Sequence, residues 1–391
     1  MAFPIFVTLL FLISPFFSLF FVVYGLFKST RYKRYYGFLF ALAVGLLVYH
    51  IVPTVDLDLY RYYTYLDQLQ SNGFLQSISH IWGESDPLSY SFMFVVSSIF
   101  NNNAITLLSA LIGYCVIFYI IFDYSKLKAL DVRNTGILLL LFIASYSIIN
   151  SFTGIRFALG VCIFLLALYL DVIKKQRTIS TILYIISPLF HTSMITLLMI
   201  RVAALSFKKS TSLFQYIFIF IIGISTAFLQ QISQILSSVP FLNILSSRAD
   251  VYLQPVFPSG FWYPFNVVVT ILLITLLFCI RKKNIINPMI LKVNLYVLIV
   301  ALANVMNFYI ANRYIIVGAL LFVISFTDII SYLKESSFFA TRRILLYISF
   351  TVYLAVVIIY LSYQVTYLKQ MDYENLTPYS LLENIFTLLA R

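Results

Sequence analysis

Three arginines stand where the surrounding sequence makes a charge hard to accommodate. Arg156 opens an apolar run after the stretch 150–154, Arg313 opens another run, and Arg248 lies in a more polar segment. An arginine at the centre of a membrane helix costs at least about 2.5 kcal/mol, so it normally faces water or a partner. Because a guanidinium binds phosphate oxygens through two N–H groups, three converging arginines would bind a diphosphate. The alternatives are a snorkelling interfacial side chain for Arg156 and a solvated loop charge for Arg248.

A histidine and a pair of aspartates add groups that could move a proton. His191 follows Pro188, whose missing N–H interrupts a helix. The imidazole could bind a phosphate or transfer a proton, or it could be a structural hydrogen-bonding group. Asp56 and Asp58 directly follow an apolar run. They could act as a general base or bind a cation, or they could simply favour the start of a helix.

Glu84 and Asp86 form a second acidic group in the same stretch, directly before Pro87. Either carboxylate could serve as a base. Asp86 could equally be an ordinary helix cap. Two acidic groups in one connection therefore favour a functional role only modestly.

Aromatic side chains crowd the same regions. An aromatic belt at the membrane interface is the ordinary explanation, although flat rings beside carboxylates also suit a sugar. Arg61 lies among these rings, and Tyr314 directly follows Arg313. Arg61 and Tyr314 are therefore further candidate ligands of the diphosphate. The aromatic residues are Tyr60, Tyr62, Tyr63, Tyr65, Trp82, Tyr252, Trp262 and Tyr263.

The elements that must position these groups are membrane helices. Of 391 residues, 62% are hydrophobic and 10% are charged, whereas an ordinary soluble domain has roughly 25% charged residues. Apolar runs of about 20 residues, enough to cross roughly 30 Å of hydrocarbon, recur along the chain. We therefore predict an all-α, polytopic transmembrane bundle of about ten to twelve segments, forming one integral membrane domain over 1–391. The predicted spans are 3–27, 35–52, 104–122, 135–149, 152–173, 213–236, 263–280, 290–310, 314–332 and 344–364.

Two further segments and the loop charges determine the predicted topology. Residues 88–100 are short for a crossing and 179–205 contain Pro188, so either segment could be re-entrant. The basic clusters beside the spans should face the cytoplasm, which places the N-terminus outside. The connections 54–103 and 237–262 are then extracytoplasmic, and long connections usually have a function. We therefore predict a site on the extracytoplasmic side.

Several classes of site and partner are excluded by the sequence. The formal charge of +12 is explained by the basic clusters beside the spans, so we expect no nucleic-acid partner. Cys115, Cys162 and Cys279 are isolated from one another, and no metal, nucleotide or α/β-hydrolase motif occurs. We predict no cofactor and no bound metal ion.

Five short motifs follow one another along most of the chain. They are Asp56-Leu57-Asp58-Leu59-Tyr60-Arg61-Tyr62-Tyr63, Asp86-Pro87, Asn150 and Arg156-Phe157-Ala158 before the basic end Lys174-Lys175-Gln176-Arg177, Phe190-His191-Thr192-Ser193, and Asn312-Arg313-Tyr314. In this order they resemble the EpsG-like branch of the Wzy polysaccharide polymerases. Many relatives have glutamate where this chain has Asp86, which leaves Glu84 and Asp86 as alternatives for the functional carboxylate.

The resemblance implies a multi-pass enzyme of a bacterial plasma membrane that joins lipid-linked repeat units of O-antigen, capsule or exopolysaccharide. It is compatible with a GT-C-like glycosyltransferase architecture. One undecaprenyl-diphosphate sugar would be the donor and another the acceptor, in an inverting transfer with Asp56 or Asp58 as base. The three arginines would stabilise the departing diphosphate, and His191 would assist. Membrane lipid, a flippase and a chain-length regulator of the same pathway would be its partners.

Two other functions fit the same sequence features. A transporter that flips a lipid-linked sugar also uses intramembrane arginines and broken helices, and an O-antigen ligase-like glycosyltransferase differs only in its acceptor. A transporter should carry functional charges toward both faces. Here the unexplained charges concentrate at the predicted outer face, apart from Arg201 and, depending on its depth, His191. The sequence therefore favours an enzyme.

Overall fold

The protein is all-α, as predicted. A computed structural model describes residues 2–29, 31–51, 53, 58–146, 154–207, 213–227, 262–281, 285–305, 307–335 and 351, and these residues contain helices and no strand. The described helices are α1 (Ala2–Ile13), α2 (Pro15–Lys28), α3 (Lys33–Tyr49), α4 (Asp58–Ser71), α5 (Phe74–Trp82), α6 (Pro87–Ile99), α7 (Asn103–Leu127), α8 (Val132–Ser145), α9 (Ile155–Val172), α10 (Arg177–Phe190), α11 (Met194–Ser206), α12 (Leu213–Ala227), α13 (Trp262–Arg281), α14 (Pro288–Ala303) and α15 (Phe308–Glu335).

The chain divides into two compact units. One comprises Met1–Met194 with Ile358–Arg391, and the other comprises Ile195–Val357. The first unit contains α1 to α10 and the first residue of α11. It also contains most of the described candidate residues.

Three of the described helices are long and apolar enough to cross a membrane: Asn103–Leu127, Ile155–Val172 and Ile310–Tyr332. Shorter apolar helices occupy most of the other predicted spans. The predicted polytopic helical bundle with broken helices is therefore confirmed. The predicted span 344–364 lies outside the described residues apart from Thr351.

The predicted single span 3–27 is wrong. It forms two helices, α1 and α2, which separate at Ser14, where the Ser14 hydroxyl accepts the N–H of Phe17 and Pro15 occupies the first turn of α2. The rings of Phe3 and Tyr24 lie 5.8 Å apart, so the two helices fold back on each other. At 12 and 14 residues, each helix reaches only about 20 Å, which is short of a crossing. The prediction of an N-terminus outside the cell depends on a single crossing here and loses its basis.

The two segments that could be re-entrant form short helices. Residues 88–100 fall in α6, which has 13 residues. Residues 179–205 form α10 and α11, with a break at His191. Pro188 lies inside α10, and the helix continues for two residues beyond it. The break therefore lies after the proline. The backbone N–H groups of Thr192 and Ser193 make no hydrogen bond within a helix and bond to side chains instead.

Helix α9 lies at the centre of the first unit. Its side chains are almost all buried, and it packs against α7 and α10. The chain turns from α9 into α10 at Lys175, whose φ of 60° is in the left-handed region. A Cβ on Gly160 would lie 3.1 Å from Met194 Cγ and 3.4 Å from His191 Cβ. The Ser187 hydroxyl also donates to the Gly160 carbonyl at 2.9 Å. The glycine thus lets α9 approach the break between α10 and α11 closely.

The second unit uses polar side chains to fix its helices. Asn287 caps α14, because its side-chain oxygen accepts the N–H of Met289 at 3.0 Å. Asp328, buried in α15, accepts the N–H of Asn287 at 3.0 Å. A Cβ on Gly318 would lie 2.5 Å from Leu298, so α14 and α15 pack closely. The buried carboxylate of Asp328 is therefore explained by helix capping.

The Gly160 contact generates a stability prediction. Gly160→Val should destabilise the full-length protein by about 1–3 kcal/mol, because its extra methyl groups overfill the contact. Gly160→Ala is the matched control: Met194 is flexible enough to move slightly, and alanine favours helix by up to about 1 kcal/mol. The measurement is the melting temperature in detergent, read as the monodisperse fraction after heating. Equal melting temperatures for the two variants would contradict this close approach.

Candidate functional site

Asp86 connects three parts of the chain that are distant in sequence. It occupies the N-cap position of α6, yet its side chain makes no capping hydrogen bond. Instead, its Oδ2 accepts from Arg156 Nη1 at 2.7 Å, and its Oδ1 accepts the backbone N–H of Thr192 at 3.0 Å. The residue is only 1% exposed. An ordinary capping role, one of the two sequence interpretations, is therefore wrong.

Arg156 lies in the first turn of α9 and is buried. Besides Asp86, it donates from Nε to the Tyr62 hydroxyl at 3.0 Å and from Nη1 to the Tyr90 hydroxyl at 3.1 Å. No described residue accepts a hydrogen bond from its Nη2. A side chain only 10% exposed and bonded to three others is not snorkelling to an interface. Removing one partner of such a buried ion pair typically costs about 3–5 kcal/mol.

Two tyrosine rings enclose the guanidinium. Its Cζ lies 5.0 Å from the ring centre of Tyr62 and 5.1 Å from that of Tyr90, which is within the range of cation–π attraction. Helix α4 presents Tyr62 because it buries Leu59, Tyr62, Leu66 and Leu69 along one face. Burial raises the pKa of Tyr62 to about 12, although Arg156 acts in the opposite direction. The Tyr62 hydroxyl therefore stays neutral at physiological pH.

His191 lies at the break between α10 and α11, next to this cluster. Its Nδ1 accepts the backbone N–H of Ser193 at 3.1 Å and lies 2.7 Å from the Ser193 hydroxyl. A ring nitrogen that accepts an N–H carries no proton, so the proton of the neutral ring is on Nε2. The ring contacts Phe157, the residue after Arg156, at 5.6 Å. The Ser89 hydroxyl further fixes the end of α10 by donating to the Phe190 carbonyl at 2.6 Å.

The structure therefore brings three sequence-predicted residues together: Asp86, Arg156 and His191. The hydrogen bond from Thr192 to Asp86 connects the His191 break to the ion pair. Their roles in function stay predictions. Tyr90 was not predicted, but it stands four residues after Asp86, a spacing that places both on one face of a helix.

The other predicted residues are placed differently. Glu84 accepts from the Tyr65 hydroxyl at 3.3 Å. Asp58 begins α4 and lies 3.6 Å from Arg61, and both are exposed, as the helix-start interpretation expects. Asp56 and Arg248 lie outside the described residues.

The second unit contains the remaining two predicted residues. Arg313 is half-buried and Tyr314 is buried, both near the start of α15. Convergence of three arginines on one ligand stays a prediction. The described residues contain no cluster of three or more histidine, cysteine or acidic side chains that could hold a metal ion.

Comparison with known proteins confirms the family that the sequence resembles. The model of the EpsG family matches residues 34–381, a range that includes every predicted site residue. No curated protein and no solved structure matches the chain. The EpsG-like family is related to the Wzy-type polymerases and broadly supports a polysaccharide-polymerase-like function. The match extends over most of the sequence, and the chain therefore belongs to the EpsG family.

Proposed function

We propose that this chain polymerises lipid-linked oligosaccharide repeat units at the outer face of a bacterial plasma membrane. The transfer would take place between two undecaprenyl-diphosphate-linked sugars. Family membership supports a role in polysaccharide polymerisation, and the apolar helices suit a substrate with a polyprenyl tail. The single observation that carries the proposal furthest is the buried guanidinium of Arg156, held in place within this family's motif.

Arg156 is arranged to bind the diphosphate of the donor. Asp86, Tyr62 and Tyr90 engage Nε and Nη1 and fix the plane of the guanidinium, while Nη2 keeps two N–H groups without an acceptor among the described residues. Preorganised donors in a site with little water stabilise developing charge strongly. As the glycosidic bond to phosphate breaks, negative charge grows on the diphosphate. Arg156 would stabilise this charge, with Arg61 of the same unit as a further candidate ligand.

His191 would add a second donor to the same ligand. Its Nδ1 accepts from Ser193, so the ring nitrogen that would donate to a phosphate oxygen is Nε2. This bond fixes the ring's tautomer and orientation. His191 would then position the diphosphate as a neutral donor.

The transfer itself needs a base for the acceptor hydroxyl. The hydroxyl oxygen attacks the anomeric carbon from the side opposite the diphosphate, the carbon–oxygen bond to phosphate breaks, and the configuration inverts. The hydroxyl proton passes to a base of the outer connection, for which the sequence offers Asp56, Asp58 and Glu84. Asp86 is a weaker candidate, because both its oxygens accept hydrogen bonds.

Deletion of the gene tests the function. Loss of long surface polysaccharide, with single lipid-linked repeat units accumulating on the outer leaflet, is the expected result. Gel analysis of the polysaccharide and extraction of lipid-linked intermediates, with labelling by a membrane-impermeant reagent, measure both. Units trapped on the inner leaflet would indicate a flippase instead. Normal long chains attached to the wrong acceptor, or left unattached, would indicate a ligase.

A double substitution separates catalysis by Arg156 from its role in folding. Asp86→Leu with Arg156→Met replaces the ion pair by apolar side chains, a change that is often neutral or stabilising at buried sites. We expect a membrane-inserted protein of normal abundance that makes no polymer, because the diphosphate ligand is gone. The readouts are protein abundance in the membrane fraction and polymer length after complementation of the deletion.

The matched control is Asp123→Asn with Lys174→Gln, which removes an ion pair of 2.7 Å at the other end of α9. Lys174 stands 18 residues after Arg156, which corresponds to about 27 Å along a helix. Because this pair is partly exposed, its loss should cost at most about 1 kcal/mol. The control variant should be abundant and should make long polymer. Long polymer from the double variant Asp86→Leu with Arg156→Met would show instead that the buried ion pair serves packing alone.

A further inference from the structure

A second polar cluster is linked to the Arg156 site by the contact between the rings of Tyr65 and Tyr90. The Tyr65 hydroxyl of α4 lies 3.0 Å from His80 Nδ1 of α5 and 3.3 Å from Glu84 Oε1, just before α6. His80 is exposed, and Tyr65 and Glu84 are half-buried. Three separate segments therefore direct these groups to one point.

The direction of the hydrogen bonds follows from proton counting. A phenol has one proton and an ionised carboxylate can only accept, so Tyr65 donates to Glu84. The tyrosine oxygen then accepts from His80 Nδ1–H. The pKa of Tyr65 is raised, mainly by burial and further by the charge of Glu84 and the hydrogen bond to it. The Tyr65 hydroxyl therefore stays protonated and can donate. In the neutral ring of His80, the proton is then on Nδ1 and Nε2 carries a lone pair that can accept a proton.

This lone pair belongs to an exposed residue, and the Tyr65–Tyr90 ring contact links its hydrogen-bonded cluster to the proposed diphosphate ligand. The imidazole ring of His80 makes no other hydrogen bond with a described residue. The ring of Tyr65 contacts that of Tyr90 at 5.2 Å, and the Tyr90 hydroxyl accepts from Arg156 at 3.1 Å. The rings of Tyr65 and Tyr90 therefore connect the Tyr65 hydroxyl and its two partners to the guanidinium.

We propose that His80 is the general base that takes the proton of the acceptor hydroxyl, and that Tyr65 and Glu84 are positioning residues. This inference rests on the proposed function and names a base that sequence reasoning missed. A carboxylate that orients a histidine by hydrogen bonding is a recurrent arrangement in catalysis. Here the tyrosine stands between the two, which fixes the histidine tautomer and leaves Nε2 as the nitrogen that would take the proton.

The step balances as an inverting transfer. The acceptor oxygen forms its bond to the anomeric carbon while its proton passes to His80 Nε2. The bond from that carbon to the diphosphate breaks, and its electron pair leaves with the lipid diphosphate at Arg156. The hydrogen bond from His80 Nδ1–H to Tyr65 holds the ring in place during the step, and the exposed ring returns its proton to water.

The test uses the full-length protein in lipid nanodiscs. Lipid-linked repeat units extracted from the deletion strain serve as donor and acceptor. His80→Ala should lower kcat by about 100-fold or more, as expected for loss of general base catalysis, and should leave binding of the donor unchanged. Ser79→Ala, on the exposed side of the same helix, is the control and should retain full activity.

Addition of imidazole distinguishes a base from a structural residue. It should restore a measurable part of the activity of His80→Ala and have no effect on the wild type. Tyr65→Phe should lower kcat in the wild-type background but have little further effect on the imidazole-rescued His80→Ala protein, because its role is exerted through His80. Tyr60→Phe, an exposed tyrosine earlier in the same helix, is the matched control.

Each outcome separates the two proposals. Absence of polymer from the wild-type protein would overturn the proposed function. An active wild type, an inactive Asp86→Leu with Arg156→Met double variant and a fully active His80→Ala would overturn the His80 inference alone. A loss of activity in His80→Ala that imidazole does not restore would also overturn it, since that result assigns His80 a structural role.

Discussion

The ion pair between Asp86 and Arg156 is the interaction on which the site depends. Two opposite charges buried in a medium of low polarity must stay paired, because an uncompensated charge there is strongly unfavourable. Asp86 also accepts from Thr192, so the pair fixes the starts of α6 and α9 and the break after α10 relative to one another. His191 is held beside Arg156 for the same reason. The tyrosines around the guanidinium then satisfy donors that the carboxylate leaves over.

Short helices make room for this polar cluster in an otherwise apolar unit. Helix α6 has 13 residues, and α10 and α11 have 14 and 13, too few to cross roughly 30 Å of hydrocarbon alone. Irregular backbone at membrane depth persists only where protein or water satisfies it. Here, Asp86 and the His191 ring accept the N–H groups of Thr192 and Ser193. The break that could destabilise the bundle thus provides a substrate-binding surface in the proposed function.

The sequence predicted the fold class and the main members of the cluster, because long apolar runs and buried charges are strong local signals. It did not predict the α1–α2 hairpin, since apolar length alone does not separate one span from two half-length helices; the signal was Ser14 followed by Pro15. The sequence also allowed Asp86 to be a helix cap, because an aspartate before a proline often caps a helix. In the structure, its carboxylate instead bonds to Arg156 and Thr192, which are distant in sequence. Tyr62, Tyr90 and His80 were missed as partners, because a hydrogen bond between separate segments has no local pattern.

In the proposed function, the protein elongates a lipid-linked glycan by displacing a lipid diphosphate. The most direct test is reconstitution of the purified protein in nanodiscs with extracted lipid-linked repeat units, followed by joint measurement of glycan length and free undecaprenyl diphosphate. We expect glycans that lengthen by whole repeat units, with one undecaprenyl diphosphate released for each new linkage. Repeat units that keep their length and their lipid under these conditions, from a folded protein, would contradict the proposed function.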